Sequence, residues 1–438
     1  AIHKKNFFFY PLPKEWLQIL IKNNIKVSFT FSRILFFFYS INFFLKDFSK
    51  IVVTSFSKQD KIDKENTIIY LDNLSDIDFE AKFFNDKYNF LYWLKNFLKI
   101  DNKITFIHNN KKSTNRNFSN IEVKYLKFFF LNNLSIYERF ILILYTLYST
   151  IILLYYVLRG NIFFSHLLEN FYLAICLKKF KSKAPDYAIY DTSNCLIRPW
   201  WTFLLENKKN KINNKVFLFF FSSNHFPFYS YESPILGCRW FNWSNYVFWT
   251  NEQCEWLKKI NNSFSQCHNV GYFPSFGKNE EISKTKKIIS VFPVTPFCDE
   301  YARNEFTNRH YYTLETSLKF LKDIIDGLKY FDVEIILKLK RNNPQSHKKY
   351  IQFINELNIE KKITIINSNI SAISLIDKSD AVISSPYSST GLIAEYFNKP
   401  SIFYDSSHSL VPVEPYIKKI RLVKNFDELS HWIKKILD

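Results

Sequence analysis

Metal-ligand spacing is missing from this chain of 438 residues. Its six cysteines, at 176, 195, 238, 254, 267 and 298, form no CxxC pair and no Cys/His cluster. That pattern indicates neither a zinc site nor a disulfide framework, and a reducing cytoplasm is the simplest compartment. No basic tail, RNP-like aromatic pattern or zinc finger is present, so nucleic acid is not the expected partner. Ile34 to Leu45 is an apolar run with Arg33 ahead of it, but no small-residue cleavage site follows, which argues against a secretory signal. Methionine is absent where average usage predicts several, so motif spacings are read with a tolerance of one residue.

What is present is a globular composition, 47% hydrophobic and 19% aromatic, in a chain long enough for two domains. The 48 phenylalanines, with abundant Ile, Lys and Asn, reflect an AT-rich genome more than a function. A formal net charge of +19 suits an anionic membrane surface or an anionic ligand such as a nucleotide. Phe140 to Leu158 carries no charge between Arg139 and Arg159 and is long enough to cross a bilayer. Its four Tyr, two Thr and one Ser, and strand-like text on both sides, predict a buried helix first, an interfacial one second and a span last.

Short β-branched runs alternate with helical periodicities, the grammar of a parallel doubly wound sheet. Strands are predicted at Ile51–Val53, Ile104–Ile107, Tyr187–Tyr190, Val216–Phe221 and Tyr246–Trp249, with an amphipathic segment at Phe90–Leu98. After a polar linker, Gly277 to Lys287, a second series begins. It has strands at Ile288–Phe292, Val333–Leu339, Ile363–Ile366, Ala381–Ile383, Ile402–Tyr404 and Ile420–Val423. Helices are predicted at Leu314–Leu328, His347–Leu357, Ser371–Ile376 and Phe426–Leu437. The expected class is therefore α/β, with two Rossmann-like doubly wound parallel-sheet domains facing a cleft. An N-terminal domain over 1–277, a C-terminal one over 286–425 and a closing helix over 426–438 are the expected divisions.

The stretch from Lys378 to Asp405 is the most informative. A strand is followed by five hydroxyls in seven residues, Ser384, Ser385, Ser388, Ser389 and Thr390, and then by a helix that Lys399-Pro400 stops. Ligands of open α/β sheets bind at such strand ends, and a hydroxyl-rich helix N-terminus suits a phosphate. Lys338 and Lys340 share one face of a strand end, and Arg341 opens the loop after it; a guanidinium can hold phosphate oxygens bidentately. In the first domain Asp191, Asn194, Arg198, Asn224, His225 and Glu252 fall after successive strands, on the edge that lines a cleft.

These residues carry a resemblance. Arg198-Pro199-Trp200-Trp201-Thr202 with Glu206, Ser222-Ser223-Asn224, Trp249-Thr250-Asn251-Glu252-Gln253, Lys338-Leu339-Lys340-Arg341, and Ile383 to Thr390 with Lys399-Pro400-Ser401 are together similar to bacterial surface-polysaccharide biosynthesis proteins. That family resembles GT-B glycosyltransferases using CMP-activated Kdo or sialic-type sugars, over about residues 185–425. At Lys340-Arg341 the chain departs from the His-Pro pair of CMP-sugar enzymes. The resemblance implies a nucleotide-sugar donor held by Lys338, Lys340, Arg341, Ser384, Ser385, Ser388, Ser389, Thr390 and Glu395, and no metal or resident cofactor. It implies an acceptor, a glycan or glycolipid, near Asn194, Arg198 and Asn224. Asp191 is the expected base, with His225 and Glu252 behind it. A CDP-linked polyol-phosphate transferase and a non-catalytic assembly scaffold are the alternatives. The implied location is cytoplasmic, with contact at the inner face of the membrane.

Overall fold

A computed structural model describes residues 14–24, 29–56, 65–72, 89–108, 116–118, 121–125, 134–159, 168, 174–175, 177–178, 184–192, 198–206, 215–220, 241–261, 265–273, 285–298, 313–339, 346–368, 370–411 and 420–438. Two sheets organise them. The first has strands β1 (Thr67–Leu71), β2 (Ile104–His108), β3 (Arg116–Phe118), β4 (Ile121–Tyr125), β5 (Tyr187–Asp191), β6 (Lys215–Phe219), β7 (Asn245–Phe248) and β8 (Gln266–Asn269). Their order is β3-β4-β2-β1-β5-β6-β7-β8, and the β3–β4 pair is antiparallel. The second has β9 (Lys287–Phe292), β10 (Val333–Lys338), β11 (Thr364–Ile366), β12 (Ala381–Ser384), β13 (Ser401–Tyr404) and β14 (Arg421–Val423), all parallel, in the order β11-β10-β9-β12-β13-β14. Strand order in the second sheet reverses between β9 and β12, the place where an open parallel sheet binds its ligand. The chain divides into two compact units: Ala1–Asp72 with Asn102–Ile189 and Arg198–Val216, and Asn73–Asp101 with Tyr190–Ile197 and Phe217–Asp438.

The helices are α1 (Lys14–Lys22), α2 (Phe29–Phe56), α3 (Phe90–Leu98), α4 (Ile136–Leu158), α5 (Trp200–Leu205), α6 (Asn251–Ile260), α7 (Leu314–Leu328), α8 (Lys348–Ile359), α9 (Ala372–Lys378), α10 (Ser389–Tyr396) and α11 (Phe426–Leu437). Local chemistry starts several of them. Ser135 and Glu138 close a capping box on α4, Thr250 and Gln253 one on α6, and Asn425 caps α11. The second sheet's core joins Ile289, Val291, Leu337, Ile383 and Ile402 to Phe320, Ile324 and Leu328 of α7 and Leu429 and Ile433 of α11. Continuous apolar strands of this kind are what two-sided burial requires.

The two sheets share a staple. Asp186, just ahead of β5, donates its backbone N–H to Ile68 O at 2.8 Å, and its carboxylate accepts from Ile68 N at 2.8 Å. Asp380, just ahead of β12, does the same with Ile288, at 2.8 Å for both bonds. The register then matches: Ile69 faces Tyr187, and Ile289 faces Ala381. Counting on from each Asp, Asp191 and Ser385 occupy equivalent positions at the carboxyl ends of β5 and β12.

Three expectations are corrected. Ile51–Val53, read as a strand from its β-branched residues, forms the last turns of α2, because the apolar run ahead of it continues as helix. The segment 140–158 is helical, but only one face of it is buried: Phe140, Tyr148 and Ile151 are more than half exposed. The sulfurs of Cys254, on α6, and Cys267, on β8, are paired, where the cysteine spacing indicated no disulfide. A separation of 13 residues in sequence hides this pair, which forms because the chain runs from α6 back into the sheet beside β7.

Candidate functional site

The carboxyl edge of the second sheet collects the polar groups. After β12 the chain turns through Ser385, Pro386 and Tyr387 into α10, whose N-cap, Ser388, makes no side-chain capping bond. Tyr387 has φ +57°, a left-handed conformation that an aromatic residue rarely adopts, and it is fully buried. Its hydroxyl donates to Val411 O, and its ring packs on Phe403. Those contacts hold the strained turn, as is common where a loop must present a ligand site.

The hydroxyls divide into two sets. Ser385 Oγ accepts from Val294 N at 2.9 Å, so it ties the β12 loop to the β9 loop across the strand-order reversal. Thr390 Oγ1 lies 2.8 Å from Ser384 Oγ and 2.9 Å from Ser388 Oγ, a hydroxyl chain at the mouth of α10. Ser389 is half-buried in the first turn of that helix. A recess on the Ser385 side is lined by Val294, Thr316, Phe320, Ser385, Pro386 and Tyr404. Tyr404 donates its hydroxyl to Asp323, which also receives Lys319 Nζ at 2.6 Å. Burial, then the bond to Asp323, pushes the Tyr404 hydroxyl well above its ordinary value, so it stays a donor.

Lys338 completes the edge. It ends β10 and is 6% exposed; its ammonium donates to Ser368 O at 3.1 Å and to Leu339 O at 3.5 Å. Among the described residues no carboxylate lies within ion-pair distance of it. Burial lowers its pKa to about 8. Leu337 faces Val291, and Val291 faces Ile383. One residue farther on, Lys338 and Ser384 therefore fall in one row, on the same face of the sheet, about 10 Å apart across two strand spacings.

Gly391 sets how closely α10 approaches the sheet. A Cβ there would lie 2.4 Å from Phe403 Cε1 and 2.7 Å from Phe403 Cζ. Gly391→Ala should therefore cost about 1–3 kcal/mol in denaturant unfolding. Trimming the ring with Phe403→Leu in the same chain should recover part of the loss; purely additive costs would show that this contact is not the cause.

The remaining expected residues are scattered. Glu395 stands in α10 at six residues, about 9 Å of rise, from Ser389. Asp191 ends β5 and is 4% exposed. Glu252 is half-buried in the first turn of α6, beyond the Thr250 cap. Arg198, expected on the acceptor side, is engaged by its own segment. Its guanidinium donates to Thr202 Oγ1 at 2.9 Å and Thr202 O at 3.2 Å, pairs with Glu206, and lies 4.1 Å from the centre of the Phe203 ring. Asn194, Asn224, His225, Lys340 and Arg341 lie outside the described residues. Reasoning from sequence missed Tyr387, Gly391 and Val294; of these only the glycine, placed inside an otherwise apolar helix start, left a signal to find.

An α/β chain with a hydroxyl-lined helix mouth and a buried lysine at one strand edge defines the class. The sequence profile of polysaccharide biosynthesis PFTS motif proteins matches residues 157–433, and the chain belongs to that family. Among curated protein sequences none matches it. In structure it is similar to α,α-trehalose 6-phosphate synthase from Burkholderia multivorans, with a TM-score of 0.43 and 8% identity over 85% of this chain and 91% of that one. It is also similar to UDP-GlcNAc 2-epimerase from Methanocaldococcus jannaschii (TM-score 0.41, 14% identity, 85% and 92% of the two chains). A third similarity is to the wall teichoic acid polymerase TagF (TM-score 0.40, 12% identity, 92% and 91%).

Proposed function

We propose that the chain is a glycosyltransferase that moves a sugar from a nucleotide-activated donor, CMP-linked in the first instance, to a cell-surface glycan or glycolipid. Membership of a polysaccharide-biosynthesis family supports the pathway. The observation that carries the chemistry is Lys338, a buried ammonium whose partners among the described residues are carbonyls, in one row with the Ser384–Thr390–Ser388 hydroxyl chain. A buried cation without a counter-charge suits an anion that arrives with the substrate.

In this reading the α10 mouth and its hydroxyls take the donor phosphate, Ser389 among them, and Lys338 with Lys340 and Arg341 neutralises charge on the leaving nucleotide. Glu395 is offered to a ribose hydroxyl. Asp191 deprotonates the acceptor hydroxyl, with Glu252 and His225 as the other candidates for that role. The chain works at the inner face of the membrane, where its lipid-linked or growing acceptor is presented.

Titration calorimetry with CMP, CDP, UDP and GDP tests the donor. Binding of one of them, weakened about tenfold or more by Thr390→Val, is the expected result. If none binds, the chain is a scaffold and this reading falls. Phosphorus retained in the transferred unit would instead identify a CDP-linked polyol-phosphate transferase.

A further inference from the structure

Two long helices of the first unit are built inside out. α4 buries a stripe of Leu142, Thr146, Ser149, Leu153 and Val157, so its hydroxyls point inward, bonded at 2.8 Å to the helix's own carbonyls of Leu142 and Tyr145. Outward stand Phe140, Leu144, Leu147, Tyr148, Ile151 and Tyr155, each 45–63% exposed. α2, which packs against α4, repeats the pattern. It buries Ser40, Phe44, Asp47 and Ile51, while Ile34, Phe38, Leu45, Val53 and Phe56 are 47–70% exposed. A helix facing water does the reverse.

The strand pairing decides how such a surface meets lipid. Only α4, among the described residues, is long and apolar enough to cross a membrane. Yet β4 precedes it and β5 follows it, and β4–β2–β1–β5 are consecutive neighbours in one sheet. A single crossing would place β4 and β5 on opposite sides. A return crossing has no room in sequence, since the longest uncharged run between Leu158 and Tyr187 is nine residues, Gly160–Leu168, against the roughly 20 required. Charge points to the kind of lipid. Residues 1–185 hold 27 Lys and Arg against 14 Asp and Glu, while the rest of the chain holds 32 against 26. The excess of positive charge therefore goes with the part that carries the exposed helices.

We propose that α2 and α4 lie in the plane of an anionic phospholipid leaflet, their outward Phe, Leu and Ile among the acyl chains, their tyrosines at headgroup level, and the surrounding lysines and arginines on the phosphates. This surface is independent of the donor site: a chain that binds vesicles but no nucleotide keeps this inference and loses the other.

Flotation of the purified full chain with vesicles is the test. It should float with phosphatidylglycerol-containing vesicles at low salt, weakly with phosphatidylcholine alone, and be partly released at high salt. Leu147→Glu with Ile151→Glu should lower the bound fraction about tenfold, with thermal unfolding and nucleotide titration unchanged. Should that pair unfold the chain, Leu147→Ser with Ile151→Ser replaces it, with the same loss expected at smaller size. Equal binding to both lipids, or none, overturns the proposal. So does a dimer that the same substitutions dissociate, which would make a second copy the occupant, and so does resistance to alkaline carbonate extraction, which would make the helices a span.

Discussion

Lys338→Met should leave the ligand-free chain as stable as the parent or more stable, by about 1–3 kcal/mol, while nucleotide affinity falls tenfold or more. The ammonium is 6% exposed and has two carbonyl partners, so the fold bears a desolvation penalty that a methionine of similar length does not. The pH dependence has a definite sign. Burial lowers the folded pKa to about 8, from an ordinary value of 10.5. Below 8 both folded and unfolded chains hold the proton and the penalty is fully present. From about 8 to 10.5 the unfolded chain holds more protons, so stability rises with pH, and above that window the effect is complete. Phosphate binding has the opposite trend, because it needs the protonated form and weakens as pH climbs through 8. Denaturant unfolding and calorimetry of parent and variant on both sides of that pH measure the two effects together. A variant that is less stable, yet binds nucleotide as before, would show Lys338 to be a structural residue.

Asp191→Asn should slow transfer by about 10²–10⁴-fold with donor affinity unchanged. Asparagine keeps the shape and the bonds Asp191 can accept at the end of β5, but it cannot take a proton from an acceptor hydroxyl. Its position follows from the shared staple: Asp186 and Asp380 fix equivalent registers in the two sheets, so Asp191 stands on its carboxyl edge where Ser385 stands on the other. Initial rates at saturating donor, with donor affinity measured separately, check it. Full turnover in the variant would move the role to Glu252 or His225. Loss of donor affinity in step with rate would mean that Asp191 holds the substrate and does no proton transfer.

Legibility differed between the two sheets. In the second, Leu314–Leu328 and Phe426–Leu437 have the ends their sequence predicts, because caps, charge placement and apolar spacing are all local and agree. In the first, β1, β3, β4 and β8 escaped notice; all four are short, and polar residues interrupt β3, β4 and β8. The candidate site was legible as a list of residues and not as an arrangement. Ser385 and Arg198 looked like ligand groups, but one ties two loops together and the other clamps its own helix.

By itself the sequence determined the α/β alternation, the hydroxyl-rich entry to α10 and the uncharged stretch of α4, since each follows from residues near one another in the chain. Tertiary structure alone decided the rest. Strand order put Lys338 in a row with Ser384, the Cys254–Cys267 pair formed across a helix-to-strand return, and Phe403 left no room for a Cβ at Gly391. It also decided which face of α4 is outside. Hydrophobicity says only that a helix avoids water; which side meets protein and which meets something else depends on where the neighbouring elements pack.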